Sequence, residues 1–208
     1  MSEVPPFEDL FSDLSHPNPN IRSKAYVLLV DNYPDLVQPR LVELLHDSDP
    51  AIYRTAVKAL GVLGHCALPD LLGLYKSAES GTVRACCIKA LVQISVNFPD
   101  HAFPPEVIVV LEAALDDENP VVAQSALMTL GHLSKQNVEQ NRVIPLLIKA
   151  CDRSNIAHVQ GAAMALAELD SPVVYACLES LANDESKDPL IREVAQSSLE
   201  RRKSLNLN

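Results

Sequence analysis

The chain repeats one helical pattern along its whole length, and this repeat limits the folds that it can adopt. The clearest copy is DPAIYRTAVKALGVLG at residues 49–64, an amphipathic helix that opens with the turn-forming pair Asp-Pro. A leucine recurs at equivalent positions, with gaps of 31, 31, 39, 36 and 33 residues by subtraction, and a small residue stands four positions before each leucine. The leucines are Leu29, Leu60, Leu91, Leu130, Leu166 and Leu199, and the small residues are Ala25, Ala56, Cys87, Ala126, Ala162 and Ala195.

One turn of helix separates the small residue from the leucine in every copy, so each helix presents the same notch and the same knob to its neighbour. A fixed period of this length is typical of helical hairpins stacked into a solenoid. The composition agrees, because 48% hydrophobic but only 4% aromatic residues suits helix packing better than strands. The repeat itself predicts a binding surface, not an active site.

The periodic segments predict six hairpins joined by short turns. The first helices are expected at 6–14, 35–45, 67–76, 106–115, 141–151 and 172–183, and the second helices at 20–30, 51–63, 82–95, 121–133, 156–169 and 189–202. The longest connection is NFPDHAFPP at 97–105, which carries Phe98 and Phe103. Two interpretations remain open: the two rings plug the edge of the solenoid, or they form a loop that contacts a partner.

Charge and composition exclude several classes of protein. The net charge of −10, from 17 basic and 27 acidic residues, argues against general binding of nucleic acid. No uninterrupted apolar run of 18 residues is present, so no membrane span is expected, and the N-terminus lacks the pattern of a signal peptide. The five cysteines are odd in number and show no C-x-x-C spacing, so they are interpreted as reduced packing residues, with no metal site.

The second helix of each hairpin is expected to line the concave face, with an exposed row six and two positions before each leucine. That row predicts a surface that changes from basic to amide and thioether side chains. Its members are Arg54, Lys58, Ala85, Lys89, Gln124, Met128, Gln160 and Met164. Basic side chains suit an acidic partner or a carboxylate, and methionine suits an adaptable apolar contact. An ordinary solvated helix face remains the alternative.

The position seven residues before each leucine holds Tyr53 and three arginines, Arg22, Arg84 and Arg192. Tyr53 and Arg84 are included among the candidate binding residues. The arginines are also expected to pair with acidic residues nearby, Arg84 with Glu79 and Arg192 with Asp188. No G-x-S-x-G motif, P-loop, G-x-G-x-x-G motif or metal-binding H-E-x-x-H motif occurs in the sequence, so no self-contained active site is predicted.

Beyond their period, the repeats resemble a known family. VKALGVLG, IKALVQIS and DENPVVAQSALMTLGHL are similar to the HEAT-like repeats of phycobilisome lyases in cyanobacteria and red-lineage algae. HPNPNIR, IYRTAVKALGVLG, NFPDHAFPPE and LANDES stand in the same order as in a small single-chain branch, the CpeZ-type proteins. The resemblance implies an all-α, right-handed α-solenoid of about six HEAT-like helical hairpins, in a single domain over residues 1–208 whose last residues fray.

The resemblance also implies a chaperone-like assembly factor that assists the attachment of bilin to phycobiliproteins, most of all phycoerythrin. The implied partners are a phycobiliprotein subunit bound on the concave face and a larger HEAT-like bilin lyase. No cofactor is expected to bind tightly, and phycoerythrobilin is expected as a transient ligand. The implied compartment is cytoplasmic, meaning the cyanobacterial cytosol or the plastid stroma.

Two other functions remain open at this stage. One is a HEAT-repeat scaffold for iron–sulfur cluster assembly partners, which predicts a brown complex that depends on cysteine. The other is an enzyme, a bilin lyase subunit that itself forms the thioether between bilin and a client cysteine. The hypothesis for the preferred function is that Arg54, Lys58, Lys89 and Gln124 hold an acidic patch of the client or the bilin propionates.

Overall fold

The computed structural model describes residues 4–152 and 155–205, and over these residues the chain is built from α-helices and short turns without a β-strand. Two 3₁₀ turns, Asp13–Ser15 and Gly64–Ala67, join the helices that flank them. The helices form the six predicted hairpins, and most of their ends agree with the predicted ends within about two residues. Their bounds are α1 Phe7–Ser12, α2 Pro19–Asn32, α3 Pro34–Leu44, α4 Pro50–Leu63, α5 Leu68–Ser77, α6 Gly81–Asn97, α7 Pro105–Ala114, α8 Pro120–Leu133, α9 Gln140–Cys151, α10 Ile156–Ala167, α11 Pro172–Asn183 and α12 Pro189–Leu205.

The chain divides into two compact units, an N-terminal unit Met1–His101 and a C-terminal unit Ala102–Asn208. Within the N-terminal unit, α1 packs on α2, α3 on α4 and α5 on α6, and the second helices α2, α4 and α6 pack side by side. Within the C-terminal unit, α7 pairs with α8, α9 with α10 and α11 with α12, while α8, α10 and α12 follow one another. The second helices are therefore the continuous packing surface of each unit.

The repeated small residue and leucine form the core of both units. All six leucines are buried, the most exposed being Leu199 at 6%, and all six small residues are at most 2% exposed. Burying a leucine side chain stabilises a fold by about 1.5–3 kcal/mol. A small residue one turn earlier lets the neighbouring helix approach closely. The predicted register of the repeat is confirmed at each of these positions.

Every second helix begins with a side chain that accepts a hydrogen bond from the helix backbone. In the copy that defines the repeat, the Asp49 carboxylate accepts from the Ala51 amide at 2.7 Å, and Pro50 takes the first helical position. An N-cap of this kind stabilises a helix by about 1 kcal/mol. The sequence therefore encodes each helix start with a short polar residue. The residues that accept are Asn18, Asp49, Ser80, Asn119, Asn155 and Asp188.

Two of the three arginines that stand seven positions before a leucine, Arg22 and Arg84, bind the turn that precedes their helix. Arg22 Nη1 donates to the carbonyl oxygens of His16 and Pro17, at 2.6 and 3.0 Å. Arg84 Nη1 donates to those of Ala78 and Glu79, at 3.0 and 2.9 Å. The prediction named the Glu79 side chain, whereas these bonds go to main-chain oxygens five and six residues upstream. Main-chain carbonyls left open by the turn are the natural acceptors for a planar guanidinium.

In the described part of the chain, one stretch, Pro50–Ser77, is long and apolar enough to cross a membrane by length and composition alone. It comprises α4, the turn Gly64–Ala67 and α5, and half of its apolar window is buried inside the protein. Gly64 interrupts it with a φ of 77°, a conformation that favours glycine. Core helices of a hairpin satisfy the same length and hydropathy test, so the stretch is weak evidence for a membrane span.

Candidate functional site

Three basic side chains project from adjacent second helices of the N-terminal unit. Arg54 and Lys58 lie on α4 and Lys89 lies on α6, and all three are exposed. We call these three residues the basic row. The two helices pack very closely, because a Cβ atom placed on Gly61 would lie 2.2 Å from the Cβ atom of Gln93. Glycine at this point of α4 therefore allows α4 and α6, the two helices that carry the basic row, to approach each other closely.

The electrostatic surroundings of the basic row can be described from a nearby thiol and from the salt bridges of the chain. Burial raises the pKa of the Cys86 thiol on α6, and the nearby charges of Lys89 and Arg54 oppose that rise. The charges of Lys89 and Arg54 therefore both act on the Cys86 thiol. Among the residues that the structure describes, no carboxylate forms a salt bridge with Arg54, Lys58 or Lys89. The basic row thus remains available to an external anion.

Two neighbours of the basic row behave differently from the prediction. Ala85, the fourth predicted member in this unit, is only 2% exposed and belongs to the core. Arg84 is half-buried, and its guanidinium is bound to the turn before α6. The position six residues before the leucine is thus exposed in α4 but buried in α6. Among the predicted positions of this unit, only Arg54, Lys58 and Lys89 carry exposed charge.

Tyr53 lines an open cavity next to the start of α4. The cavity has a volume of about 340 Å³, and its wall includes His46, Asp47, Ser48 and Thr82. This volume lies at the lower end of the range for small-molecule sites, about 300–1,000 Å³. The ring of Tyr53 is half-buried and lies 5.9 Å from the Arg54 guanidinium carbon. Tyr53 therefore lies between the cavity in the turn region and Arg54, the first residue of the basic row.

Equivalent positions of the C-terminal unit carry uncharged side chains. Gln124 and Met128 lie on α8, Gln160 and Met164 lie on α10, and all four are exposed as predicted. Met128 is 65% exposed and Met164 is 45% exposed. We call these four residues the methionine row. Two flexible, polarisable thioethers flanked by amides form a surface that adapts to an apolar partner.

Phe98 and Phe103, the loop contact candidates, belong to different units. Phe98 is half-buried in the N-terminal unit and covers Gly64, where an added Cβ atom would lie 2.5 Å from its ring. Its ring also makes edge contacts with His65 and His101, each at a centroid distance of 6.0 Å. These contacts favour the interpretation of Phe98 as a plug on its own unit.

Phe103 lies in the core of the C-terminal unit, at 3% exposure, so its ring is not presented to a partner. Its amide donates to Glu139 Oε1 at 2.5 Å, and its carbonyl oxygen accepts from Arg142 Nη1 at 2.7 Å. Glu139 is fully buried and pairs with Arg142 at 3.0 Å. The contact-loop interpretation does not fit Phe103, because its ring is buried. The ion pair of Glu139 and Arg142 holds the Phe103 backbone from both sides. Sequence reasoning missed Glu139 and Arg142, which lie more than 30 residues away from it.

The described residues were also compared with the geometry of a metal site. Within 4–152 and 155–205, no group of three or more His, Cys, Asp or Glu side chains could hold a metal ion. The polar features described above are the basic row and the cavity at Tyr53. Both suit binding of an anion or a polar group.

The model of the HEAT-repeat family matches residues 7–92 and 108–200 of the chain. Over 181 residues, the chain is 58% identical to the bilin biosynthesis protein CpeZ of Synechococcus sp. (strain WH8020), which covers 87% of this chain and 97% of that protein. It is 34% identical over 195 residues to the phycocyanin operon protein Z of Pseudanabaena tenuis (strain PCC 7409), covering 93% and 94% of the two chains.

A solved structure with a similar fold is the complex of CpcE and CpcF of phycocyanin lyase from Nostoc sp. PCC7120. The TM-score is 0.59 at 21% sequence identity, and the match covers 78% of this chain and 98% of that chain. At this level of identity the match concerns the fold alone.

Proposed function

Because the chain belongs to the HEAT-repeat family and is a relative of the bilin biosynthesis protein CpeZ, we propose that it is an assembly factor that assists the attachment of bilin to phycobiliproteins. The observation that carries the proposal is this relationship, which extends over almost the full length of both chains. The expected compartment is the cytosol of a cyanobacterium or the stroma of a plastid.

The proposed client is a phycobiliprotein subunit, phycoerythrin in particular, and the proposed contact surface includes the basic row. Three exposed cations without a carboxylate partner in the described chain suit an acidic patch of a client or the propionates of a bilin. This local concentration of basic charge contrasts with the net charge of −10 of the whole chain. Gln124 and the rest of the methionine row are proposed to add contacts without charge.

We further propose that the protein works as a helper of a larger HEAT-like bilin lyase, with phycoerythrobilin as a transient ligand. In support, the phycocyanin lyase with the similar fold is a complex of two chains, CpcE and CpcF. The chain is therefore proposed to hold and present the client, while the thioether forms elsewhere.

The test mixes the purified protein with an unmodified phycoerythrin subunit, with and without phycoerythrobilin, and separates the mixture by size exclusion with absorbance detection. We expect the protein to co-elute with the subunit and to leave no covalent colour on it in the absence of a lyase. Covalent colour that stays with the denatured subunit would overturn the helper role and identify a lyase instead. Failure to co-elute with the subunit in either condition would overturn the proposal.

Matched variants distinguish the basic row from general electrostatics. Arg54→Glu with Lys58→Glu reverses two charges of the row, and Lys76→Glu with Lys203→Glu makes the same charge change at exposed positions on α5 and α12. We expect loss of co-elution only with the first pair. Equal behaviour of both pairs would remove the basic row from the proposal. A brown, cysteine-dependent absorbance of protein from its native host would favour the iron–sulfur scaffold.

A further inference from the structure

The cavity at Tyr53 is lined by buried apolar side chains and by accessible polar ones. Leu45 and Val83 are 1% and 3% exposed and belong to the core of the N-terminal unit. Ser48 and Thr82 are exposed, and they bring two hydroxyl groups from the turn before α4 and from the first turn of α6. An apolar wall that carries a few polar groups is typical of a site for a small molecule.

Several polar groups of the cavity are not used by the fold. Within the part of the chain that the structure describes, the hydroxyl groups of Ser48, Tyr53 and Thr82 make no hydrogen bond to the protein. The Asp47 carboxylate uses Oδ1 to accept from the Asp49 amide at 2.7 Å, so its other oxygen can accept from a ligand. A ligand in the cavity therefore meets hydroxyl groups that donate or accept and a carboxylate oxygen that accepts.

Charges of opposite sign lie close to Tyr53. Asp47 belongs to the wall of the cavity, whereas Arg54 is outside the wall, with its guanidinium carbon 5.9 Å from the centre of the Tyr53 ring. A simple anion in the cavity would meet the carboxylate, and a simple cation would meet the guanidinium next to it. The arrangement therefore favours a ligand that offers hydrogen-bond donors to the cavity and carboxylates to the basic row.

We propose that the cavity at Tyr53 receives one end of a linear tetrapyrrole, while the basic row binds the propionates of the same molecule. This inference rests on the function proposed above, in which a bilin is a transient ligand. A bilin carries the required groups, since it has pyrrole N–H donors, terminal lactam groups, a conjugated ring system and two propionates. The Asp47 carboxylate accepts from a ring N–H, and the hydroxyl groups of Ser48 and Thr82 bind the lactam. Arg54 pairs with a propionate.

The size of the cavity determines which part of the ligand enters it. Its volume of about 340 Å³ is at the lower end of the range for small-molecule sites, so it holds a terminal ring and not the whole tetrapyrrole. The propionates of a bilin stand on the two inner rings and therefore stay outside the cavity. Arg54 and Lys58 offer cations there, one helical turn apart on α4.

The experiment titrates the full-length protein into phycoerythrobilin without any client and follows the absorbance and fluorescence of the pigment. We expect saturable binding, which Asp47→Asn should weaken about tenfold, because a hydrogen bond to a charged acceptor is lost. Asparagine keeps an oxygen that can accept from the Asp49 amide, so the turn is preserved. Absence of saturable binding to the wild type would overturn the inference, whereas the proposed function is decided separately, by co-elution with the client.

A bulky side chain tests the cavity itself. Thr82→Trp fills the cavity from the exposed first turn of α6 and should abolish binding of the pigment. The matched control is Val121→Trp, because Val121 is 53% exposed and stands nine positions before Leu130, as Thr82 stands nine positions before Leu91. The control should bind like the wild type, and far-UV circular dichroism checks that both variants are folded. Equal binding by the two variants would overturn the placement of the ring in the cavity.

The dimethyl ester of phycoerythrobilin separates the two parts of the site. The ester lacks the charges of the propionates, so the wild type should bind it more weakly than the free acid, and Arg54→Gln should cause no further loss. With the free acid, Arg54→Gln should weaken binding, whereas Asp47→Asn should weaken binding of both forms. An equal loss for ester and free acid in Arg54→Gln would contradict the pairing of Arg54 with a propionate.

Discussion

The basic row and the methionine row occupy equivalent positions of equivalent repeats, yet their chemistry is different. Below each row lies the same arrangement of buried small residues and leucines, such as Ala56 and Leu60 in one unit and Ala126 and Leu130 in the other. At the surface, one row carries three cations and the other carries amides and thioethers. The buried pattern therefore determines where the row stands, and the exposed residues determine what it can bind.

The two rows are expected to recognise different features of a partner. Attraction to exposed cations is screened by salt, with a Debye length of about 8 Å at 0.15 M ionic strength. Contacts with exposed methionines depend on removal of apolar surface from water and change little with moderate salt. For a client that contacts both rows, the binding free energy would contain one salt-dependent and one salt-independent contribution. The predictions below test the shared core first and then the difference between the rows.

The largest effect is expected in the shared core. Ala126→Asp would bury a charge without a partner at a helix contact where the residue is 0% exposed, at a cost of about 3–5 kcal/mol. Ala56→Asp, at the equivalent position of the N-terminal unit, should cost a similar amount. The measurement is urea unfolding followed by circular dichroism. If only one of the two variants were destabilised, the two units would not share the same packing.

The next largest effect is expected at the basic row. In the Arg54→Glu and Lys58→Glu double variant, affinity for the client subunit should fall by about tenfold or more, since each reversal replaces attraction with repulsion of order 0.5–1 kcal/mol. The free energy of unfolding should change little, because both side chains are exposed. Affinity is measured at low and at high salt. A loss that persists unchanged at high salt would show that the row does not act through its charge.

A smaller effect is expected from substitutions in the methionine row. Met128→Ala together with Met164→Ala should weaken the same complex a few-fold, because most single interface residues contribute less than about 1 kcal/mol. The loss should be equal at low and high salt. Gln196→Ala, on the exposed face of α12, is the control and should leave binding unchanged. A salt-dependent loss in the methionine variant would contradict the distinction between the rows.

The smallest effect is expected at a surface ion pair of the C-terminal unit, which also carries the methionine row. Lys135 forms a salt bridge with Glu168, and this hydrogen bond lowers the pKa of the Glu168 carboxyl in the folded state. A depressed pKa adds stability above the unfolded pKa, and that stability is lost as the pH falls through the folded pKa. Lys135→Ala should cost less than about 1 kcal/mol at neutral pH, because the pair is exposed to solvent. In acid unfolding, the variant should lose less stability below pH ~4 than the wild type.

The fold was predictable because its signal is local. A small residue and a leucine one turn apart, repeated six times, specify the helices, their packing faces and the exposed row, and the family resemblance is confirmed by the matches with HEAT repeats and CpeZ. The sequence signal for the start of each second helix is equally local, because a short polar side chain such as Asn119 caps it. Local periodicity gave a wrong prediction at Ala85. The position six residues before the leucine was predicted to be exposed, but in α6 it is buried.

The missed features depend on residues that are distant in sequence. The hydrogen bond from the Phe103 amide to the Glu139 carboxylate joins residues 36 positions apart. This pair has no fixed spacing that a motif search would recognise, because helices and turns of variable length separate the two residues. The hydrogen bonds of Arg84 to the turn were unforeseen for another reason. Two of its acceptors are main-chain oxygens, which every residue possesses, so no side chain in the sequence marks them.

The basic row also affects how fast, and in which orientation, a partner arrives. The protein as a whole carries a charge of −10, so an acidic client is repelled on average at long range. Attraction by Arg54, Lys58 and Lys89 extends only about one Debye length, and it therefore acts on encounters that already approach this face. Collisions of the proposed acidic client elsewhere on the surface would be short-lived. The charge distribution would then act as a kinetic filter, which selects productive encounters by their direction before any close contact has formed.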